Sequence, residues 1–335
     1  MRVCAVVVTF NRKELLLECL EALRMQTRPL DAIYIIDNAS TDGTPELLMK
    51  RGYQDGAVIE NLHDGGETMI RYFRLPTNTG GAGGFHEGVK RAFSDGYDWL
   101  WLMDDDAEPL PDSLEGLLRH AVDGTAALAN LKVSPDGSPQ YIHRGFFDFS
   151  SSGRVVRPIT EDDLKEEILE IDHASFVGIL INSDSVRRIG FPRKEFFLHF
   201  DDVEYCLRLR STGKVILVTG SLILHKEASS SGNLTKSLFG MEIPVVPYDK
   251  LWLRYYGVRN STWLRRKETG GGRLFMFMLR AVPLSVAAQI MAGIVTEKPL
   301  RRARFVLSAY IDGLRGRFDN EKPLKILYGS DGYEG

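Results

Sequence analysis

Short apolar runs that alternate with helical patterns are the feature that most restricts the fold of this 335-residue chain. Val3–Thr9 and Ala32–Asp37 are rich in β-branched residues, and the runs 69–75 and 99–103 are similarly apolar, so all four are predicted strands. The segments between them, beginning with 12–25, have the periodicity of amphipathic helices. Alternation of this kind predicts an α/β fold with a mostly parallel, Rossmann-like central sheet and helices on both faces.

Three consecutive carboxylates, Asp104, Asp105 and Asp106, end the apolar run 99–103. Carboxylates crowded at a strand end repel one another, and a hard divalent cation relieves that repulsion while leaving coordination positions for phosphate oxygens. Asp37 ends its own strand, and ligands of parallel sheets bind beyond the carboxyl ends of the strands. A solvated acidic turn is the alternative for the triplet, and a turn-forming role is the alternative for Asp37.

A glycine-rich string opens the helix that is predicted after the run 69–75. Its members are Asn78, Gly80, Gly81, Gly83 and Gly84. Glycine allows a backbone to approach a ligand closely, and the free N–H groups at a helix start can face phosphate or sugar oxygens. Close packing of the helix is the alternative explanation.

Composition is that of an ordinary globular protein, with 44% hydrophobic and 26% charged residues. Cys4, Cys19 and Cys206 are odd in number, far apart and set among apolar residues, which indicates core residues and a reducing compartment. The first apolar run is too short for the core of a signal peptide. We therefore expect a cytoplasmic protein.

Charge is distributed unevenly along the chain. Residues 250–325 contain 16 Lys and Arg against 5 Asp and Glu, a net charge of +11, which leaves −14 for the remainder. This region has a helical pattern, and its longest charge-free run, 281–296, has 16 residues, fewer than the ~20 needed to span a bilayer. We expect basic amphipathic helices on an anionic membrane surface, with packing on the body or a dimer interface as the alternative. Nucleic acid is disfavoured as a partner because long apolar runs interrupt the basic residues.

Two polar segments, 134–170 and 227–240, are predicted to lack regular structure, the second as a mobile loop. Thr44 is the predicted cap of a helix that begins with Pro45.

Three segments in this order resemble glycosyltransferase family 2: 7–12 (VVTFNR), 37–44 (DNASTDGT) and the carboxylates 104–106. The resemblance covers about residues 1–260. It implies the GT-A fold, a nucleotide-sugar donor, a divalent metal (Mn²⁺ or Mg²⁺) and inversion at the anomeric carbon. The combination is specific, although no single segment is.

The resemblance assigns roles residue by residue. The donor-binding residues that it implies are Thr9, Asn11, Arg12, Asp37, Asn78, Gly80, Gly81, Gly83, Gly84, Asp104 and Asp105. Asp104 and Asp106 form its Asp-x-Asp pair and are implied metal ligands, together with His225. Neutral imidazole is a suitable ligand for Mn²⁺, and a structural role is the alternative for His225.

A second acidic pair, Asp201 and Asp202, resembles the catalytic-base motif of the family, with Asp202 at the base position. A sugar hydroxyl is a weak nucleophile, and a carboxylate within hydrogen-bond reach can take its proton. An ordinary acid at a helix start is the alternative for Asp202. His199 and Arg259 are predicted to contact the acceptor, with a salt bridge as the alternative for Arg259.

The donor sugar is suggested by the segments 80–85 (GGAGGF) and 201–205 (DDVEY), which resemble UDP-galactofuranose transferases more than the related rhamnosyltransferases. The prediction is transfer of galactofuranose to a polyprenyl-diphosphate-linked glycan in cell-wall or polysaccharide assembly, with dTDP-rhamnose as the alternative donor. Two other functions are disfavoured. A nucleotidyltransferase would have a Gly-x-Gly-Thr-Arg loop after the first strand, where this chain has 8–12 (VTFNR). A protein that only binds carbohydrate would not need both the acidic triplet and the pair Asp201 and Asp202.

The predicted domains are a GT-A catalytic domain over 1–248 and a basic helical region over 249–335 that associates with the inner face of the cell membrane. Within the first domain, 1–110 is expected to bind the nucleotide sugar and 111–248 the acceptor. The sequence leaves a homo-oligomer open.

Overall fold

A computed structural model describes residues 1–150, 154–226, 234–238 and 241–329. The chain divides into two compact units. The first is Met1–Phe147, Val156–Lys194 and Asp201–Ala228, and the second is Asp148–Val155, Glu195–Phe200 and Ser229–Gly335. This division differs from the predicted boundary at residue 248, because the final change of unit comes at residue 228 and two earlier segments join the second unit. The expected donor and acceptor halves of the first domain stay a prediction.

The first unit is built on a large β-sheet. Its strands, with those of a smaller sheet, are β1 (Val3–Thr9), β2 (Ala32–Asp37), β3 (Val58–Glu60), β4 (Glu67–Arg74), β5 (Trp99–Asp104), β6 (Ala107–Pro109), β7 (Thr125–Val133), β8 (Arg144–Phe147), β9 (Val156–Pro158), β10 (Ile168–Ile171), β11 (His173–Ala174), β12 (Ile179–Asn182) and β13 (Lys214–His225). The large sheet has the order β10-β13-β7-β12-β5-β1-β2-β4-β3, and β6 pairs with β13. Because β1, β2, β4, β5, β7 and β13 run in one direction, the predicted mostly parallel sheet is confirmed.

Helices cover both faces of this sheet, as predicted. They are α1 (Lys13–Arg24), α2 (Thr44–Lys50), α3 (Gly80–Ser94), α4 (Ser113–Leu118), α5 (Ser183–Ile189) and α6 (Asp201–Leu209). Successive strand residues point to opposite faces, so Val3 and Val7 pack with α1, α2 and α4, whereas Cys4 and Val6 pack with α3, α5 and α6. The three cysteines are buried and free, as expected for core residues.

Several local predictions were wrong. The segment 134–170 contains β8, β9 and β10, and β8 pairs with β9 and β11 in the smaller sheet. Strands of three or four residues are too short to show an alternating pattern. Thr44 is the first residue of α2 and not its cap, because Gly43 occupies that position with φ 89° and Asp42 accepts a hydrogen bond from the Thr44 N–H at 3.1 Å.

The predicted mobile loop 227–240 lies partly outside the described residues. Its described part, Leu234–Leu238, is strand β14 and pairs with β15 (Met241–Val245) in the second unit. The other elements of that unit are the helices α7 (Leu253–Glu268), α8 (Gly271–Val295), α9 (Pro299–Arg315) and α10 (Lys322–Tyr328). The prediction of a C-terminal helical region is thus confirmed.

Helices of the second unit pack closely where small residues allow it. A Cβ atom on Gly313 would lie 2.4 Å from the backbone oxygen of Arg259, so α9 approaches α7 at this point. Among the described residues, α8 is the one helix long and apolar enough to cross a membrane by length and composition. An 18-residue stretch of this helix has a mean hydropathy of 1.7, and 6% of that stretch is buried. The charge-free run of 16 residues therefore underestimated the apolar length of this helix.

Glycines of α3 allow that helix to contact β1. A Cβ atom on Gly84 would lie 2.4 Å from Val8 Cγ1, and one on Gly88 would lie 2.3 Å from Val6 Cγ1. A Cβ atom on Gly83 would lie 2.2 Å from Thr79 Oγ1. Close packing, which was the alternative explanation of the string, therefore accounts for Gly83 and Gly84. Their predicted contact with the donor stays a prediction.

We expect Gly84→Ala to lower the free energy of unfolding by about 1–3 kcal/mol, because the added methyl group forces α3 and β1 apart. Denaturant unfolding of the full chain measures this change. Gly220→Ala is the matched control, because no atom lies within 4 Å of its added Cβ. A loss of equal size in both variants would contradict the packing explanation.

Candidate active site

The acidic triplet lies at the carboxyl ends of two adjacent strands, β1 and β5, which run parallel with Val8 opposite Asp104. Thr9 Oγ1 donates a hydrogen bond to Asp105 Oδ2 at 2.7 Å. Arg12 Nη1 lies 3.1 Å from Asp105 Oδ1 and 3.1 Å from Asp106 Oδ2. The structure therefore brings Thr9, Arg12 and the triplet together at the predicted edge of the sheet.

Negative charge is concentrated in this triplet. Burial, followed by the charges of Asp106 and Asp105, raises the pKa of Asp104 to about 8. Burial also raises the pKa of Asp105 to about 6, against the opposing effect of Arg12. Burial tends to lower the pKa of Arg12, but the three carboxylates outweigh it, so the pKa is raised and the guanidinium stays charged. A further bound cation would relieve the repulsion among the carboxylates.

His225 ends β13 and reaches the triplet because β13 pairs with β6, which places His225 opposite Ala107. Its Nε2 lies 3.4 Å from Asp106 Oδ1. On the other side of the ring, Gln140 Oε1 lies 3.1 Å from Nδ1. The amide nitrogen of Gln140 donates to Ser134 Oγ and to the His225 carbonyl oxygen, so Oε1 accepts the Nδ1–H. The Nε2 lone pair then faces the carboxylate of Asp106.

An imidazole lone pair and a carboxylate oxygen are donor types that suit a divalent cation such as Mn²⁺. The predicted ligands Asp106 and His225 are thus neighbours, and Asp104 interacts electrostatically with Asp106. Across the described ranges, no three His, Cys, Asp or Glu side chains form a group that could hold a metal ion. The three-ligand set therefore stays a prediction.

Asp37 and Asn11, which are predicted to contact the nucleotide, already form hydrogen bonds with other protein groups. Asp37 is fully buried, and its two oxygens accept hydrogen bonds from the Ser40 N–H and from the Tyr72 hydroxyl, each at 2.8 Å. Asn11 has φ 54° and accepts from the Thr41 N–H at 2.7 Å. The turn-forming role, which was the alternative for Asp37, is favoured by these contacts, and its contact with the nucleotide stays a prediction.

Asn38, which sequence reasoning missed, connects the end of β2 to the start of α3. Its Oδ1 accepts from the Thr79 N–H at 2.8 Å, and its Nδ2 donates to the Gly80 carbonyl oxygen at 2.9 Å and to Asn78 Oδ1 at 3.1 Å. Asn78 Oδ1 also accepts from the Gly80 N–H. Contacts of Asn78, Gly80 and Gly81 with the donor stay predictions. The sequence feature that could have identified Asn38 is its position directly after Asp37, the acid at the end of β2.

The second acidic pair occupies the first turn of α6, where Asp202 Oδ2 lies 3.3 Å from His173 Nε2 and Oδ1 accepts from the Val203 N–H at 2.7 Å. Burial alone would raise the pKa of Asp202, but His173 and the backbone N–H outweigh it, so the pKa is lowered. Burial, followed by the charge of Asp202, raises the pKa of Asp201 well above its usual value. These opposite shifts favour an ionised Asp202 beside a neutral Asp201, and an ionised carboxylate is the form that can accept a proton as a general base.

His173 was also missed, because it belongs to the two-residue strand β11 and has no motif around it. Replacement by Gln removes the imidazole whose interaction lowers the pKa of Asp202, so that pKa rises. We expect the acid limb of the pH profile for transfer to move to higher pH, since Asp202 becomes protonated earlier as the pH falls. Steady-state rates over a pH series measure the shift, with Phe147→Leu, which alters the ring packed beside His173, as control. An unmoved acid limb in His173→Gln would contradict the assignment.

In the second unit, the segment Glu195–Phe200 adopts an unusual backbone. Phe197, His199 and Phe200 have φ of 65°, 65° and 66°, in the left-handed region that costs a non-glycine residue of order 1–3 kcal/mol. Asn260 Nδ2 donates to the carbonyl oxygens of this segment at residues Phe196, Leu198 and His199, at 3.0, 3.0 and 2.8 Å. Asn260 therefore stabilises the segment that directly precedes Asp201 in the sequence.

Arg259 has a similar role. It is fully buried, and its guanidinium donates to the Phe196 carbonyl oxygen at 2.9 Å and to Asn320 Oδ1 at 2.9 Å. Burial lowers its pKa to about 10. These protein groups already bind the guanidinium, and the predicted acceptor contact of Arg259 stays a prediction. The predicted acceptor contact of His199 stays a prediction.

We expect Asn260→Ala to lower the transfer rate about tenfold, equivalent to about 1.4 kcal/mol, because the backbone of 195–200 loses three hydrogen bonds. Adding Phe200→Gly should restore part of the rate, since glycine adopts positive φ without strain. Phe200→Ala in the same background is the matched control, because it removes the ring and keeps the strain. Equal rescue by Ala and Gly would contradict the role of backbone strain.

Comparison with known proteins identifies the family. Residues 4–190 match the family model described as Glycosyl transferase family 2. The chain belongs to glycosyl transferase family 2. This family 2 chain is 32% identical over 218 residues to galactofuranosyltransferase GlfT1 of Mycolicibacterium smegmatis, covering 63% of this chain and 66% of that protein. The match thus spans just under two thirds of that relative.

A second relative of this family 2 chain is the N-acetylglucosaminyl-diphospho-decaprenol L-rhamnosyltransferase of Mycobacterium tuberculosis. The identity is 25% over 245 residues, covering 68% of this chain and 76% of that protein. Among solved structures, GalNAc-T7 with UDP, GalNAc and Mn²⁺ has a TM-score of 0.54 at 15% identity, covering 83% of this chain and 54% of that chain. The predicted GT-A fold is confirmed.

Proposed function

We propose that this family 2 chain is an inverting, metal-dependent glycosyltransferase that transfers galactofuranose from UDP-galactofuranose to a polyprenyl-diphosphate-linked glycan. The observation that carries the proposal is the presence of two acidic groups within the first unit, close enough that the charge of Asp104 acts on Asp201. The triplet Asp104, Asp105 and Asp106 concentrates negative charge at the sheet edge, whereas Asp202 is an ionised base beside His173. Similarity to GlfT1 supports the sugar, and similarity to the rhamnosyltransferase makes dTDP-rhamnose the second candidate donor.

The reaction is a single displacement. The acceptor hydroxyl oxygen forms a bond to the anomeric carbon as the bond from that carbon to the diphosphate oxygen breaks. Asp202 takes the hydroxyl proton, and UDP leaves with the electron pair of the broken bond. Attack opposite the leaving group inverts the anomeric carbon.

Asp104, Asp106 and His225 would hold the divalent cation, Mn²⁺ or Mg²⁺, which supplies Lewis-acid stabilisation of the departing diphosphate. Gln140 orients the imidazole of His225 for this role. Arg12 pairs with Asp105 and Asp106 and so limits the repulsion within the triplet before the donor binds.

A lipid-linked acceptor requires the chain to work at a membrane, and we propose the inner face of the cell membrane. The net charge of +11 over residues 250–325 supports association with anionic headgroups. The exposed apolar length of α8 supports contact with lipid.

Donor hydrolysis tests the proposal. The full chain is incubated with Mn²⁺ and either UDP-galactofuranose, UDP-galactopyranose or dTDP-rhamnose, and nucleotide release is measured with and without chelator. We expect metal-dependent release of UDP from UDP-galactofuranose and transfer to a polyprenyl-diphosphate glycan by mass spectrometry. Release from dTDP-rhamnose alone would favour the second candidate. Release of inorganic diphosphate from UTP and a sugar 1-phosphate, in a parallel incubation, would indicate a nucleotidyltransferase. No release in any incubation would indicate a binding protein.

A further inference from the structure

One face of α8 is exposed over most of its length and is apolar except for Arg273 and Arg280. The exposed large apolar side chains are Phe275, Met276, Leu279, Leu284, Met291 and Ile294. From Phe275 to Ile294 the face extends over ~28 Å at a rise of about 1.5 Å per residue. An apolar surface of this length on a protein otherwise typical in composition indicates an interaction site.

A basic cavity of about 280 Å³ lies at the N-terminal end of this face. Arg265, Arg273 and Arg280 line it together with Met276 and Phe277. Arg265 is 2% exposed, and its guanidinium carbon lies 4.4 Å from the centroid of the Phe277 ring. Arg273 and Arg280 are exposed and seven residues apart, so both lie on the helix face that carries Met276.

The charge of the cavity is positive. Its described lining contains three arginines and no acidic residue, and Asp148 is the acid that interacts electrostatically with Arg265. Arginine binds phosphate through paired N–H donors, and its long apolar stem packs along neighbouring apolar side chains. A phosphate group is therefore the ligand class that this cavity fits.

The packing of α9 against α8 limits how deeply α8 can enter a membrane. Ser285 Oγ of α8 lies 2.9 Å from the Tyr310 hydroxyl of α9, so the two helices pack side by side. Arg301 and Arg304 of α9 are exposed and would be costly in hydrocarbon. The pair therefore suits a position at the interface, where an apolar face enters the lipid and charged groups remain among headgroups.

We propose that the exposed face of α8 lies in the surface of an anionic bilayer and that Arg265, Arg273 and Arg280 bind the phosphate of one of its phospholipids. The order along the helix matches such a lipid, because the exposed Leu284, Met291 and Ile294 follow Arg280 on α8. This inference rests on the proposed function, which places the chain at a membrane. It adds which surface of the chain contacts the membrane, which arginines bind there and that the bound group is a phosphate.

Vesicle flotation of the full chain tests the inference, with vesicles of phosphatidylcholine alone or mixed with phosphatidylglycerol. We expect Arg273→Gln with Arg280→Gln to lower partitioning onto the mixed vesicles about 30-fold, from the loss of two basic groups at the surface. Arg315→Gln with Arg317→Gln removes the same charge from exposed positions in α9 and after it, and should lower partitioning less than about threefold. Leu279→Gln with Leu284→Gln should lower binding to both vesicle types.

Equal losses in the two arginine pairs would overturn the phosphate site, because they would indicate diffuse attraction. Absence of wild-type binding to any vesicle would overturn the docking surface. Unchanged partitioning of Arg273→Gln with Arg280→Gln, with a raised KM for a soluble short-chain prenyl-diphosphate acceptor, would assign the arginines to the acceptor and also overturn the proposal. Donor hydrolysis by the wild type is measured separately and without vesicles, so a failure of the proposed function can be distinguished from a failure of membrane binding.

Discussion

Asp202→Asn is expected to lower sugar transfer by about 10²–10⁴-fold while donor binding is retained. The amide cannot take the proton of the acceptor hydroxyl, whereas the proposed donor contacts are made by the acidic triplet and not by Asp202. The lowered pKa of Asp202 beside His173 identifies it as the ionised member of its pair. Single-turnover transfer measures the loss, and isothermal titration with UDP measures binding.

Asp201→Asn is the matched control for this variant. The pKa of Asp201 is raised by burial and by the charge of Asp202, which favours the neutral form of the wild-type side chain. An amide of the same shape should therefore lower transfer by less than about tenfold, as expected when no proton acceptor is lost. If Asp201→Asn lowered transfer as much as Asp202→Asn, or if Asp202→Asn turned over normally, Asp202 would not be the base.

Asp106→Ala is expected to weaken both donor hydrolysis and transfer by at least about 100-fold, since metal stabilisation of a leaving group contributes several kcal/mol. The variant removes the carboxylate oxygen that lies 3.4 Å from His225 Nε2 and a partner of Arg12. Electron paramagnetic resonance of bound Mn²⁺ measures the metal, and UDP release measures hydrolysis.

Asp123→Ala controls for the loss of one negative charge at an exposed position of the same unit, and we expect it to behave like the wild type. Full turnover of Asp106→Ala in the presence of chelator would remove the metal from the proposed mechanism. Retained Mn²⁺ binding with lost turnover would instead assign Asp106 to the donor diphosphate.

The strands that were predicted well have a strong local signal. Val3–Thr9 and Ala32–Asp37 were predicted with the bounds that the structure has, because buried parallel strands are continuous apolar runs. β8 and β9 were missed because three or four residues cannot show a period, and their pairing depends on distant parts of the chain. Local sequence therefore predicts the long central strands and not the small sheet.

In the candidate site, too, residues in local motifs were recognised from the sequence, whereas residues that depend on distant contacts were missed. Asp106 and Asp202 were found because acids at strand or helix ends form visible motifs. His173 and Gln140 were missed, since each acts on a residue far away in the sequence, Asp202 and His225 respectively. Arg259 was found as part of a motif, but its burial gives it a structural contact that no local pattern reveals.

The backbone of 195–200 has a consequence for attempts to engineer this protein. Phe197, His199 and Phe200 adopt positive φ, where glycine would relieve the strain. A thermostability screen should therefore select glycine at these positions, yet each such gain removes an aromatic or imidazole side chain that lies close in the sequence to Asp201 and Asp202, the proposed catalytic acids. Selection for heat tolerance and selection for turnover would then favour different residues at the same three sites.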